Sequence, residues 1–468
     1  MKPKLAILII LTLLLFACGS GTPTSVIRTP TVTQPLTDTP TQTLTPLPLL
    51  PTVPTSTPFP LTPPNSTLYP TASVVKANTI AFISGNSLWV ANIDGSGERK
   101  LVDIEANTEP YALIKFSLSW SPDGKWIGYM SANELWVISP DGLIKRKILS
   151  TQDTNHKLIR MYKWSPDSSK VAYIQANRQD KIILVGLVDL ATGKVYELSS
   201  YPPTRFTLYW SPNGQYLLLD KESSFFVFEV STREFVKEIK TIDGCLTSKY
   251  TELAWSPNSK WFYHVYHGDV ESKWICISGL DGSNWQIPMR GLLTLPAWDK
   301  TGKILYFAAK ETTSNTYPDA TVVLQLLGYD VRTRELRHLG SLGKYPQQDV
   351  WSMFMSPNQN ILALQACTKN DSPKCSFIIM NAQSLSVVNK FTVDFQFSLI
   401  RMYDFSNPFW SSDNRNIILF ARGRNPLDGR LNYYSSFYAV DTKTGKAIPL
   451  SGRHLIDIWT ISPIATTP

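Results

Sequence analysis

A short run of two apolar residues, one charged residue and one apolar residue occurs four times: Leu113-Ile114-Lys115-Phe116, Leu158-Ile159-Arg160-Met161, Leu399-Ile400-Arg401-Met402 and Leu455-Ile456-Asp457-Ile458. Thr204-Arg205-Phe206 stands near an equivalent place. A repeating frame that delivers cations suits the binding of anions, because guanidinium presents paired, planar donors to a carboxylate or phosphate. Like charges brought together repel, and a negative ligand relieves that repulsion. Lys115, Arg160, Arg205 and Arg401 are therefore the candidate ligand-binding residues, with Asp457 as a local counter-charge. Register decides whether they converge. Arg160 and Asp457 lie five residues before a serine of a turn, Lys115 and Arg205 six before it, and a slip of one residue reverses the face of a strand. The plainer reading is that these charges only solvate a rim.

Groups for covalent chemistry are scarce. Of the histidines at positions 156, 264, 267, 338 and 454, only two lie close, in His264-Val265-Tyr266-His267-Gly268-Asp269. Residues three apart on a strand point to opposite faces, so these two rings do not converge on one metal ion. Asp and Asn recur after proline, yet no D-x-D-x-D-G loop gathers them around calcium. There is no phosphate-cradling loop, dinucleotide fingerprint or zinc signature, and no Gly-x-Ser-x-Gly elbow. We expect no catalytic residue, no metal and no cofactor. Most of the 14 tryptophans occupy repeat positions, which assigns them to packing rather than to sugar platforms.

The elements that must position the charges repeat as well. Trp120-Ser121-Pro122-Asp123-Gly124 is followed by Trp164-Ser165-Pro166-Asp167, Trp210-Ser211-Pro212-Asn213-Gly214 and Trp255-Ser256-Pro257-Asn258. Degenerate copies stand at Trp298-Asp299-Lys300-Thr301-Gly302, Met355-Ser356-Pro357-Asn358, Trp410-Ser411-Ser412-Asp413 and Ile461-Ser462-Pro463. Proline presets φ, and the Asp, Asn or Gly that follows suits a tight turn. After each turn comes a continuous apolar run, such as Trp126 to Tyr129 or Tyr216 to Leu219, as expected for a strand covered on both faces. A second apolar strand and an outer strand complete each unit. Copies 43 to 57 residues apart match the length of propeller blades, and units this short must stack to bury their faces.

The pattern resembles the TolB-like, WD-repeat-like β-propeller family over about 390 residues. The resemblance implies extracytoplasmic protein–protein contacts. A related propeller precedes the catalytic domain of prolyl-oligopeptidase-like peptidases; this chain stops at Pro468, and no such domain is expected. The expected fold is all-β: a propeller of eight four-stranded blades, with seven as the alternative count. The unit at Ile80 to Leu101 lacks an entering strand, and Leu455 to Pro463 is an entering strand without a hairpin. The C-terminal strand is therefore expected to complete the first blade.

The ends indicate location. Lys2 and Lys4 precede an apolar run from Leu5 to Ala17, which is too short to span a bilayer and fits a signal-peptide core. Leu15-Phe16-Ala17-Cys18 resembles the bacterial lipobox, which makes Cys18 the expected site of lipidation. Residues 18–74 are rich in Thr and Pro and nearly uncharged, a composition that stays extended and disordered; such a stalk reaches on the order of 150 Å. The expected organisation is a signal peptide at 1–17, an anchored stalk at 18–74 and the propeller at 75–468. Losing Lys2 and Lys4 lowers the formal charge from +8 to +6, a mild excess that does not point to nucleic acid. Cys245, Cys276, Cys367 and Cys375 are disulfide candidates in an oxidising compartment, with three pairings open.

The function expected from this is a surface-tethered, non-catalytic, extracytoplasmic binding or scaffold lipoprotein. It would be lipid-anchored to the bacterial cell membrane or outer membrane, with a monomeric propeller. Its partner is an unknown protein or an anionic polymer, met at a propeller face or channel mouth. The second reading is a glycan- or peptide-degrading enzyme with residues gathered from several blades.

Overall fold

The computed structural model describes residues 79–461, except for 93–95, 106–117, 151–156, 178, 203–205, 222–223, 243–244, 246–251, 268–272, 288–293, 313–320, 347–349, 368–373, 395–397, 400–409, 412, 424–433 and 450–455. Among the described residues every regular element is a strand. Sheet A contains β1 (Thr79–Ser84), β2 (Ser87–Asn92) and β3 (Arg99–Asp103). Sheet B is β4 (Leu118–Trp120), β5 (Ile127–Ser131), β6 (Glu134–Ile138) and β7 (Lys145–Leu149). Sheet C is β8 (Lys157–Trp164), β9 (Lys170–Asn177), β10 (Ile182–Asp189) and β11 (Val195–Tyr201). Sheet D is β12 (Thr207–Trp210), β13 (Tyr216–Lys221), β14 (Ser224–Glu229) and β15 (Glu234–Lys240). Sheet E is β16 (Glu252–Trp255), β17 (Trp261–His267), β18 (Lys273–Gly279) and β19 (Asn284–Gln286). Sheet F is β20 (Ala297–Trp298), β21 (Ile304–Thr312), β22 (Thr321–Asp330) and β23 (Glu335–Pro346). Sheet G is β24 (Val350–Met355), β25 (Ile361–Cys367), β26 (Lys374–Asn381) and β27 (Val387–Asp394). Sheet H is β28 (Ser398–Leu399), β29 (Asn416–Gly423), β30 (Tyr434–Asp441) and β31 (Ala447–Pro449).

Sheets B to H are thus seven four-stranded antiparallel sheets, each made of consecutive strands. The last strand, β32 (Ile456–Ile461), pairs antiparallel with β1, through Ile80 opposite Ile461 and Phe82 opposite Trp459. The apolar runs are continuous because the middle strands are covered on both sides. β5 is buried throughout and β14 at all but its last residue, whereas the outer β15 is mostly exposed. Core clusters join neighbouring sheets: A with B around Tyr129, B with C around Tyr162, C with D around Phe228, D with E around Phe262, E with F and G around Phe307, and G with H around Phe377. Each fully buried aromatic adds roughly 1.5–3 kcal/mol. Close approach leaves no room for a side chain at Gly128, where a Cβ would lie 2.9 Å from the Tyr162 hydroxyl of the next sheet.

The recurring serine of the turns has a specific task. It is almost fully buried, and its hydroxyl closes the turn from inside. Ser165 Oγ donates to Asp167 Oδ1 at 2.6 Å and accepts from the Lys170 amide at 2.9 Å. The same pair of bonds recurs at Ser121, Ser211, Ser256, Ser356 and Ser411. In sheet F, Asp299 takes the serine's place and accepts from the Lys303 and Ile304 amides at 2.8 and 2.7 Å. The degenerate turn keeps the bracket with a different group.

The next turn position has positive φ in every one of these turns, and glycine occupies it in sheets B, D and F. Sheets C and E place Ser168 and Ser259 there, with φ near 60°. Their hydroxyls accept the amides of Asp123 and Asn213 in the preceding sheets, at 2.9 and 3.0 Å. Outer strands add a second row of bonds between sheets: Arg99 donates to Pro140 O, Arg146 to Leu190 O and Lys237 to Leu280 O.

Candidate ligand-binding rim

The innermost strand of a sheet is pressed between its neighbours, so a charge within its regular pleat would be buried at high cost. Sheet C avoids this with a β-bulge. Ile159 stands opposite Gln175 and Met161 opposite Ile174, which leaves Arg160 as the extra residue. Its neighbours Leu158, Ile159, Met161 and Tyr162 are buried, while Arg160 is exposed. A bulge bends the strand and re-aims one side chain, and such features cluster beside functional sites. Among the described residues no carboxylate pairs with Arg160.

The same device recurs in β32. Ile458 stands opposite Ile83 and Ile456 opposite Ser84, so Asp457 is the unpaired residue. In sheet H, Leu399 faces Ala421 while Trp410 faces Ile417. The two pairings differ in register by seven residues, and Arg401 falls inside the intervening stretch, 400–409. At Arg160 and Asp457 the charged residue of the repeated run therefore stands at a break in the ladder, which the sequence alone does not reveal. Lys115, Arg205 and Arg401 lie outside the described residues, as does Cys18. Of the five rim candidates, the structure places the Arg160 side chain and the backbone position of Asp457.

Polar residues close several apolar runs at this same end of the hairpins. Ser131, Gln175, Asp220 and Gln365 are 7%, 5%, 9% and 9% exposed. Sequence reading passed over them, although the signal was there: a polar residue directly after each run, at Met130-Ser131, Ile174-Gln175, Leu219-Asp220 and Leu364-Gln365. They make the rim end of the inner hairpins more polar than the middle.

The described cysteines are structural, and His264 belongs to the core. Cys245 and Cys276 are bonded to each other, with Cα atoms 6.0 Å apart across 31 residues, and both are fully buried. The bond ties the segment before β16 to the third strand of sheet E. Cys375 is also a disulfide cysteine, and Cys367 is the residue opposite it in the ladder. His264 has no exposed surface, and neither ring nitrogen has a hydrogen-bond partner. Its ring lies edge-on to Phe225 at 5.0 Å, and burial pushes its pKa down to about 3. Among the described residues no group of three His, Cys, Asp or Glu side chains is placed to hold a metal ion.

Residues 141–374, half of the chain, match the family of the dipeptidyl peptidase IV N-terminal region. The chain belongs to that family. The matched stretch runs from the last turn of sheet B into β26, and so takes in Arg160, Arg205 and the Cys245–Cys276 bond but not Arg401 or Asp457. This is the peptidase-associated propeller noted beside the TolB-like resemblance.

One solved structure supports the fold, and others are similar at lower scores. A eukaryotic initiation factor is similar at 11% identity and a TM-score of 0.51, over 84% of this chain and all of that one. Tricorn protease matches at 15% identity and 0.45, over 83% of this chain, which spans 39% of the protease. Porphyromonas gingivalis dipeptidyl peptidase 4 matches at 11% identity and 0.48, over 74% of this chain and 54% of the peptidase. No curated protein matches the sequence.

Proposed function

We propose that the protein is a surface-tethered, non-catalytic binding or scaffold lipoprotein whose β-propeller takes an anionic or protein ligand at one mouth of its channel. Its blades are the seven consecutive sheets and the sheet that β32 completes, eight in all, closed as a ring. Two contacts support closure, because β32 packs against β4 of sheet B and against β30 of sheet H. Cys18 carries the lipid, residues 18–74 form the stalk, and the propeller works outside the cytoplasm, in the manner of TolB-like proteins.

The observation that carries this reading is the bulge at Arg160. It lifts a guanidinium out of a fully packed inner strand and leaves it unmatched by any described carboxylate. Lys115, Arg205 and Arg401 are proposed to join it, with Asp457 as counter-charge. Capture of partners from envelope extract by residues 75–468 tests it. Alanine at Lys115, Arg160, Arg205 and Arg401 together should abolish capture of the main partner, and undiminished capture refutes the rim.

Family membership favours a second reading, in which the propeller handles peptides for hydrolysis. Release of a chromogenic dipeptide by the purified protein would support that reading over the first.

A further inference from the structure

We propose that the cleft between sheets C and D binds the free carboxylate end of an extended peptide. The cleft is open to solvent along one side and has a volume of about 550 Å³. It lies at the turn end of the β8–β9 ladder, where Lys170 is, whereas Arg160 stands toward the other end. It is therefore separate from the rim.

A change in how neighbouring sheets are fastened opens this cleft. Arg99, Arg146 and Lys237 each reach from an outer strand to a turn carbonyl of the next sheet. In sheet C the equivalent position, opposite Leu187, is Tyr196, and no side chain among the described residues donates to the corresponding carbonyl, Val230 O. The fastening runs the other way: Arg233, from the turn of sheet D, lies over the Tyr196 ring with its guanidinium carbon 4.4 Å from the centroid. Sheets E and F show the same arrangement, with Arg334 4.5 Å over Trp285, but there the indole is buried and bonds to the Tyr329 hydroxyl. Between C and D the smaller, half-buried Tyr196 leaves space.

The cleft is lined by two cations, Lys170 and Arg233, and two anions, Asp189 and Glu229, and among the described residues only one of the cations is held by a carboxylate. Asp189 is matched by Lys170 at 3.7 Å and by two bonds from Thr192, and Glu229 accepts from Thr232. Among the described residues Arg233 has its ring partner and no carboxylate. It also holds φ at +65°, where the equivalent turn of sheet C has Gly193 at +69°, a conformation that side chains other than glycine's seldom adopt. A carboxylate fits the free edge of the guanidinium in bidentate fashion, and Val230 O is placed to accept an amide N–H from the peptide behind it.

The experiment is calorimetric titration of the purified protein with acetyl-trialanine and with its C-terminal amide, both at millimolar concentration. The acid should bind about tenfold or more tighter than the amide, as expected for a charge-assisted bond. Arg233→Ala should erase the difference. Gln215→Trp, which obstructs the cleft without removing a charge, should remove binding of both, with unchanged melting showing that the variants fold. Equal binding of acid and amide, no binding of the acid, or a preference kept by Arg233→Ala overturns the proposal. Since Arg160 lies toward the other end of the ladder, these outcomes leave the rim reading untouched.

Discussion

Replacing His264 by phenylalanine should remove a specific acid sensitivity from the protein. The imidazole is enclosed by Phe225, Phe262 and the strand carrying Cys276, with both nitrogens unbonded. Burial favours the neutral ring, so the folded-state pKa falls from 6.5 to about 3. Between those values the unfolded chain binds the proton and the folded chain does not, so stability rises with pH across this window and is lost as pH falls. At 1.36 kcal/mol per pKa unit, the effect is about 4 kcal/mol at pH 3 and about 2 kcal/mol at pH 5. Near pH 7 it is almost nil.

The assay is urea unfolding of wild type and His264→Phe at pH 7.5, 6 and 5. Other groups titrate in both proteins and cancel in the difference. The variant should match or exceed wild type at pH 7.5, because two unpaired buried nitrogens are gone, and their burial costs about 1–3 kcal/mol. Its advantage should grow by about 2 kcal/mol by pH 5. Parallel pH profiles would show that His264 is hydrated or paired and would refute the reasoning.

Removing the Cys245–Cys276 bond with Cys245→Ala and Cys276→Ala should cost about 3–4 kcal/mol, from the 31-residue loop it closes; an unchanged urea midpoint would contradict this. Ser165→Ala deletes both bonds that bracket its turn and should cost about 1–3 kcal/mol, read as a lower melting temperature, with no change counting against the bracket. Deleting residues 455–468 removes β32 and exposes the edge of β1, so circular dichroism should show gross unfolding, and wild-type melting would disprove closure. Cys18→Ser should yield protein without lipid mass and poorly held by membranes; an unaltered mass and detergent partitioning would rule out the anchor.

The turns were legible because their chemistry is local. Trp-Ser-Pro-Asp carries in four residues the anchor, the bracketing hydroxyl and the preset φ, and the continuous apolar runs announced strands covered on both sides. At Trp298-Asp299 the sequence shows only a degenerate copy, and the structure adds that aspartate supplies the same acceptor. The bulges were not legible. Leu158-Ile159-Arg160-Met161 has the form of an ordinary strand, and only its pairing with β9 shows that Arg160 has no partner. Tyr196 was equally silent, because its meaning comes from comparison with Arg99, Arg146 and Lys237 at the same register in other sheets.

Arg160 and Asp457 occupy the same bulge position but carry opposite charges. At Arg160 the exposed charge is lifted clear of its buried neighbours by a one-residue slip in the ladder, and the backbone of β32 makes the same slip at Asp457. What an ionised residue there binds is left to its sign and to its neighbours. This separates the two sites physically. At Arg160 the charge is presented through a local break in pairing, so it can be exchanged without disturbing the fold. In the cleft, Arg233 and Tyr196 also fasten sheet C to sheet D, and a change there alters packing and recognition together.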